Sequence, residues 1–164
     1  MLKQAVTRRR FAIGLAAFPF FAGTGWAQDS LPRMIVNKDP SCSCCGEWIA
    51  YLRAAGFSVD VNETADVGRI KARLGVPSDL FSCHTAEIGG YAVEGHVPHA
   101  TIRRLLAEKP LASGIAVPGM PQSAPGMNVP GARDVYDVIL FGPSAGGAMR
   151  AFRGSARFRF SRAR

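Results

Sequence analysis

Three of the four cysteines fall within four positions of "KDPSCSCCGEWIAYLRAAGF", residues 38–57: Cys42, Cys44 and Cys45. The fourth, Cys83, stands far downstream in "SCHTA". Thiolate is the form of cysteine that binds soft metal or attacks a disulfide, and a position at the start of a helix favours it through unpaired N–H groups and a partial positive charge. A structural zinc site takes its ligands in two well-separated pairs. C-x-C-C with one distant cysteine suits that poorly, because adjacent Cys44 and Cys45 cannot easily aim both sulfurs at one tetrahedral ion. They reach two different ions without difficulty, and thiolates bridging several Cu(I) ions would use this spacing well. Cys42 and Cys45 also have C-x-x-C spacing, the signature of a thiol–disulfide redox pair in a βαβ setting.

The other soft or titratable side chains are graded by context. His84 adjoins Cys83 and is a candidate ligand or a hydrogen-bonded support for one. His96 and His99, in "GHVPHA", read first as surface or capping residues, with His96 the better ligand candidate of the two where the hairpin's far end folds back over the cysteines. Met120 and Met127 lie in the long loop "PGMPQSAPGM", where thioether sulfur suits Cu(I) but also serves to dock a loop on a core. Met34 and Met149 fall in strand patterns and read as core, as does Trp48, whose indole would shield the sulfurs from water. The phosphate-binding loop and the nucleophile elbow of hydrolases are absent, and the acids are scattered singly.

The elements that must position these residues follow from periodicity. "PRMIVNKD" reads as a first strand, closed by a turn at Asp39, Pro40 and Ser41. Trp48, Ile49, Leu52 and Ala55 recur at helical spacing in "CCGEWIAYLRAAG", which Gly56 stops. "FSVDVNE" alternates as a half-buried strand, and "ADVGRIKARLG" fits a second helix. "HTAEIGGYAVEGHV" is a hairpin turning at Gly89-Gly90, and "PHATIRRLLAEKP" is a third helix. A proline- and glycine-rich loop, "GIAVPGMPQSAPGMNVPGA", precedes the strand "VYDVILF", with "AMRAFRG" its hairpin partner. This order predicts an α/β fold of thioredoxin-like layout, a mixed sheet with helices on its faces and the cysteines in the turn after the first strand. Thioredoxins carry a cis-proline where this chain has "SCHTA", so the likeness there is one of layout.

Residues 1–27 read as an export signal: a basic start at Lys3 and Arg8–Arg10, an apolar run from Phe11 to Phe21, and a cut after Ala27 between small residues. "TRRRF" has the order of a twin-arginine signal, which exports folded cargo. The expected destination is a periplasm, with retention by the leader as the alternative. Residues 28–149 form the expected domain. The leader holds four basic residues and the tail, residues 150–164, six arginines, which leaves ten basic against twelve acidic between them, a net of −2. A domain of that balance does not read as a nucleic-acid binder. The arginine tail reads as solvated, and membrane contact is confined to that tail or an uncleaved leader.

Read together, "CSCCGEWIAYL", "KARLGVPSDLFSCHTAEIGGYAVEGHVP", "IRRLLAEKP" and "AVPGMPQSAPGM" resemble the exported bacterial copper-resistance proteins of the CopG type, a family whose domain is otherwise of unknown function. The resemblance covers about residues 33–141 and stops short of the arginine tail. It implies a thioredoxin-like fold, Cu(I) held by Cys42, Cys44, Cys45 and Cys83, and a redox role in copper handling. Three functions are thus in contention: a periplasmic Cu(I)-binding protein exchanging copper with a donor or acceptor protein, a thiol–disulfide oxidoreductase using Cys42 and Cys45, and a small domain stapled by two disulfides. The last fits least, since every pairing of the four cysteines closes a very small ring or bridges adjacent residues.

Overall fold

A computed structural model of the protein describes residues 30–127, 129–142, 147–151 and 159–162. The export signal expected over residues 1–27 lies outside these. The chain runs through β1 (Met34–Lys38), α1 (Ser43–Ala54), β2 (Val59–Glu63), α2 (Val67–Arg73), a 3-10 turn (Ser78–Leu80), β3 (His84–Ile88), β4 (Tyr91–Glu94), α3 (His99–Glu108), β5 (Gly114–Ala116), β6 (Tyr136–Phe141), β7 (Gly147–Ala151) and β8 (Arg159–Arg162). Among the described residues these strands form one mixed sheet in the order β2-β1-β3-β4-β5-β6-β7-β8. β1 and β2 are parallel, as are β4 and β5, and the remaining pairs are antiparallel. The fold is α/β, as the element order predicts. The parallel first pair followed by a hairpin and a helix is compatible with a thioredoxin-like layout.

Side chains alternate across the sheet and build a core on each face. On one face Met34, Val36, Ala86, Ile88, Val93 and Ile115 meet Trp48, Ile49 and Leu52 of α1 and Ile102 and Leu105 of α3. On the other, Ala92, Ala116 and Phe141 pack under Val76 and Leu80, which follow α2. Among the described residues, no helix is long and apolar enough to cross a membrane.

Two stretches depart from the sequence expectations. Gly114–Ala116, read as loop, is an inner strand paired with both β4 and β6. Its three residues are all buried, so it lacks the polar–apolar alternation that marks a half-exposed strand. The tail, in which no strand is expected beyond the hairpin partner that ends at Gly154, also supplies β8 at Arg159–Arg162, in antiparallel register with β7.

Candidate metal centre

The cysteine turn is braced before it begins. The buried Lys38 ammonium, at the end of β1, donates to the carbonyls of Asp39 at 3.0 Å and Pro40 at 3.4 Å and to Glu63 at 2.9 Å. The Asp39 carboxylate accepts from the Ser41 amide at 2.8 Å and from its hydroxyl, and these bonds hold its pKa below the usual carboxylate range. The Cys42 amide donates to Asp39 O at 3.0 Å. Cys42 is then the N-cap of α1, and among the described residues no side chain caps that helix start. Its first N–H groups are thereby left to face whatever negative charge gathers on nearby sulfur.

Cys42 and Cys45 are joined in a disulfide, with their Cα atoms 5.6 Å apart. Cys44 and Cys83 are free thiols. Cys44 Sγ lies 3.6 Å from Cys42 Sγ. All four sulfurs fall within 4.8 Å of one another. The ladder explains how Cys83 arrives. Lys38 pairs with His84 across the antiparallel β1–β3 ladder, so the residue before β3 and the turn after β1 emerge at the same end of the sheet. Burial, with Cys44 as the second cause, pushes the Cys83 thiol up to about 11.

Two imidazoles flank that thiol. His84 is fully buried, with Nδ1 3.3 Å from Cys83 Sγ and Nε2 without a hydrogen-bond partner among the described residues. His96, also fully buried, brings Nε2 to 3.2 Å from the same sulfur, while its Nδ1 lies 2.7 Å from Pro125 O. A carbonyl only accepts, so Nδ1 carries the proton and Nε2 turns a bare lone pair to the sulfur. Burial holds both rings below the usual histidine pKa, and at His84 the neighbouring His96 and Lys71 add to it. Neutral imidazole is the form that ligates metal. Cys83, His84 and His96 thus make a second convergent donor group that shares its thiol with the first.

His96, read from sequence as a surface or capping residue, is therefore a buried member of this centre. A signal for it exists in the hairpin. A two-residue Gly89-Gly90 turn pairs Ile88 with Tyr91 and Thr85 with Glu94, and the same register carried two residues further sets Cys83 opposite His96. His99 begins α3 elsewhere, its ring 5.2 Å from that of Tyr51.

Trp48 closes the inner side of the centre. Its ring centroid lies 4.3 Å from that of His84 and 6.4 Å from that of His96, and its Nε1–H donates to Val97 O at 2.9 Å. The proline–glycine loop closes another side through the Pro125 carbonyl and through Gly126. A Cβ at Gly126 would fall 2.6 Å from Trp48 N, and its φ of +83° is open to glycine. Met127 follows directly, its amide bonded to Ala124 O at 3.1 Å, whereas Met120 is 52% exposed. The two methionines therefore differ: Met127 sits in the turn docked on the site, and Met120 lies on the loop's outer surface.

A buried ion pair that nothing in the residue pattern singles out stands behind Cys83. Lys71 Nζ pairs with Glu94, and both contact the backbone around the cysteine.

Comparison with known proteins bears on this centre directly. The family model described as "Protein of unknown function, DUF411" matches residues 80–127, the stretch that holds Cys83, His84, His96 and the docked loop. No curated protein matches the chain. Among solved structures, copper resistance protein CopG in form 1 is 42% identical, with a TM-score of 0.67 over 73% of this chain and 94% of that one. Form 2 of copper resistance protein CopG is 37% identical, with a TM-score of 0.63 over 79% of this chain and 95% of that one. Identity at this level across nearly the whole of those chains places the protein in the CopG-type copper-resistance family.

Proposed function

We propose that this is an exported copper-tolerance protein that binds Cu(I) as its cargo through Cys42, Cys44, Cys45 and Cys83. The observation that carries the reading is the convergence of four sulfurs within 4.8 Å, two of them already free thiols. Thiolate and imidazole donors select soft and borderline ions, and the absence of carboxylates from both convergent groups disfavours hard cations. Four sulfurs this close suit bridging between more than one ion. His84 and His96 offer nitrogen donors on the Cys83 side, and Met127, followed by the more exposed Met120, offers thioether sulfur along the docked loop. The family name borne by the structural relatives agrees with copper as the metal. The leader motif and apolar run support export, with cleavage after Ala27 yielding a periplasmic protein that begins at Gln28.

With Cys42 and Cys45 joined, two of the four thiolates are withheld. Two electrons and two protons convert that bond to two thiols, so copper capacity depends on the redox state of the pair. The test is anaerobic Cu(I) titration of the folded protein, with and without prior reduction, against a chromophoric Cu(I) chelator. Reduced protein is expected to take up more than one Cu(I), the oxidised form less, and the Cys83→Ser variant less than wild type. Reduced protein that takes up no copper would overturn the reading.

The disulfide itself favours a second reading, thiol–disulfide exchange. In its copper-coupled form, the two thiols of Cys42 and Cys45 lose two protons and two electrons as their bond forms, and two Cu(II) ions each accept one electron to become Cu(I). Rapid mixing of reduced protein with two equivalents of Cu(II) decides it. One disulfide formed per two Cu(I) released is the expected balance.

A further inference from the structure

Lys71, near the end of α2, and Glu94, at the end of β4, are 4% and 0% exposed and paired through Nζ and Oε1. Lys71 Nζ also donates to Ser82 O at 3.1 Å and to His84 O at 3.2 Å, and Glu94 Oε1 accepts from the Ser82 amide at 2.6 Å. All three donors of the ammonium are thereby used, and three polar backbone groups on the two sides of Cys83 are held by one ion pair. Ser82 and Cys83 precede β3, so the sheet ladder does not fix them. Packing is tight on the far side, where a Cβ on Gly95 would come 2.6 Å from Val117 O and 2.7 Å from Ser82 Oγ. Taking two charges out of water is costly, and an apolar pair of similar volume commonly serves stability as well or better. Fold stability therefore gives no account of these two residues, whereas the grip on the cysteine segment does.

We propose that Lys71 and Glu94 are positioning residues that set the Ser82–His84 backbone so that one sulfur, Cys83 Sγ, faces the other three cysteines and both imidazoles. The inference rests on the copper reading for its functional consequence and on the hydrogen bonds for its geometry. Neither residue belongs to either convergent donor group. Their part is to hold the thiol in place before copper arrives, so that binding does not have to order the segment.

The test uses the reduced, metal-free protein and two variants that keep side-chain volume: Lys71→Met/Glu94→Gln, and Glu94→Gln alone should the first not fold. The first readout is the rate of iodoacetamide alkylation at Cys83 relative to Cys44 in the same molecule, resolved by peptide mass. That ratio is expected to rise severalfold when the brace is removed, as the segment that buries the thiol opens more often. The second readout is Cu(I) affinity by chelator competition, expected to weaken about 10- to 100-fold. The third is the same brace change made in a Cys83→Ser background. If the brace acts through that thiol, copper affinity there changes no further, whereas general damage would add in full. An unchanged alkylation ratio in the folded variant, or additive copper losses, would overturn the proposal. Wild-type protein that binds no copper would remove the metal reading alone, and the alkylation ratio would still decide the brace.

Discussion

Cys44 separates the two functional readings at the level of one atom. Its sulfur is free and lies 3.6 Å from the Cys42–Cys45 bond without being part of it. A Cys44→Ser variant should therefore lower the Cu(I) stoichiometry of the reduced protein while leaving the Cys42–Cys45 couple able to cycle, which metal analysis and thiol counting would check together. His96 carries a parallel expectation. Removing its imidazole takes a bare nitrogen from beside Cys83 and leaves Pro125 O without its donor, so His96→Ala should weaken Cu(I) binding about tenfold or more. Trp48 tests packing apart from ligation. Trp48→Phe keeps a ring against His84 but leaves the buried Val97 carbonyl unpaired, a loss of about 1–3 kcal/mol in a denaturant melt. The cysteines were legible because sulfur chemistry and spacing can be read directly from sequence. His96 was ranked below the cysteines and His84 because a histidine just past a strand gives no sign of burial until the hairpin register is counted out.

The elements show why some parts of the fold were readable and others were not. α1, α3 and the hairpin declare themselves through apolar spacing and a Gly-Gly turn, and the structure places them within a few residues of the expected bounds. β5 is too short and too fully buried for either period to show. β8 was hidden by its arginines, although "RFRFSR" alternates as a strand does. Lys71 and Glu94 gave no signal because each is an ordinary surface type, and only the tertiary fold brings them together in the interior. The loop after β5 makes the sharpest prediction at this scale. Gly126→Ala adds a methyl group against the backbone of α1 at a φ that disfavours it, so the turn must lift from Trp48. The cost should reach about 1–3 kcal/mol, and His96 should lose its Pro125 acceptor. Faster deuterium exchange over residues 121–127 and weaker Cu(I) binding would register the two effects separately.

For the molecule as a whole, the disulfide is a modest staple. Its ring spans four residues, and the chain-entropy account gives such a loop about 2 kcal/mol, so reduction should lower the melting temperature by less than about 10 °C and leave the domain folded. The core on both faces of the sheet does not depend on it. Adding Cu(I) to the reduced protein at a thousandfold excess over its Kd should then raise stability by about 4 kcal/mol, while the oxidised protein should gain less. Calorimetry on the two redox forms, with and without copper, measures both shifts.

The pairing of Lys38 with His84 across β1 and β3 has one more consequence. Facing strands work as a vernier: each step along one is matched by a step along the other, and successive side chains point to opposite faces. Deleting one residue within β3 would leave the composition almost untouched, yet it would either draw the lone thiol back from its three companions or turn it to the wrong side. On the copper reading, capacity in this scaffold follows strand length as much as the count of cysteines, and a relative with all four sulfurs but a strand one residue longer should bind copper poorly.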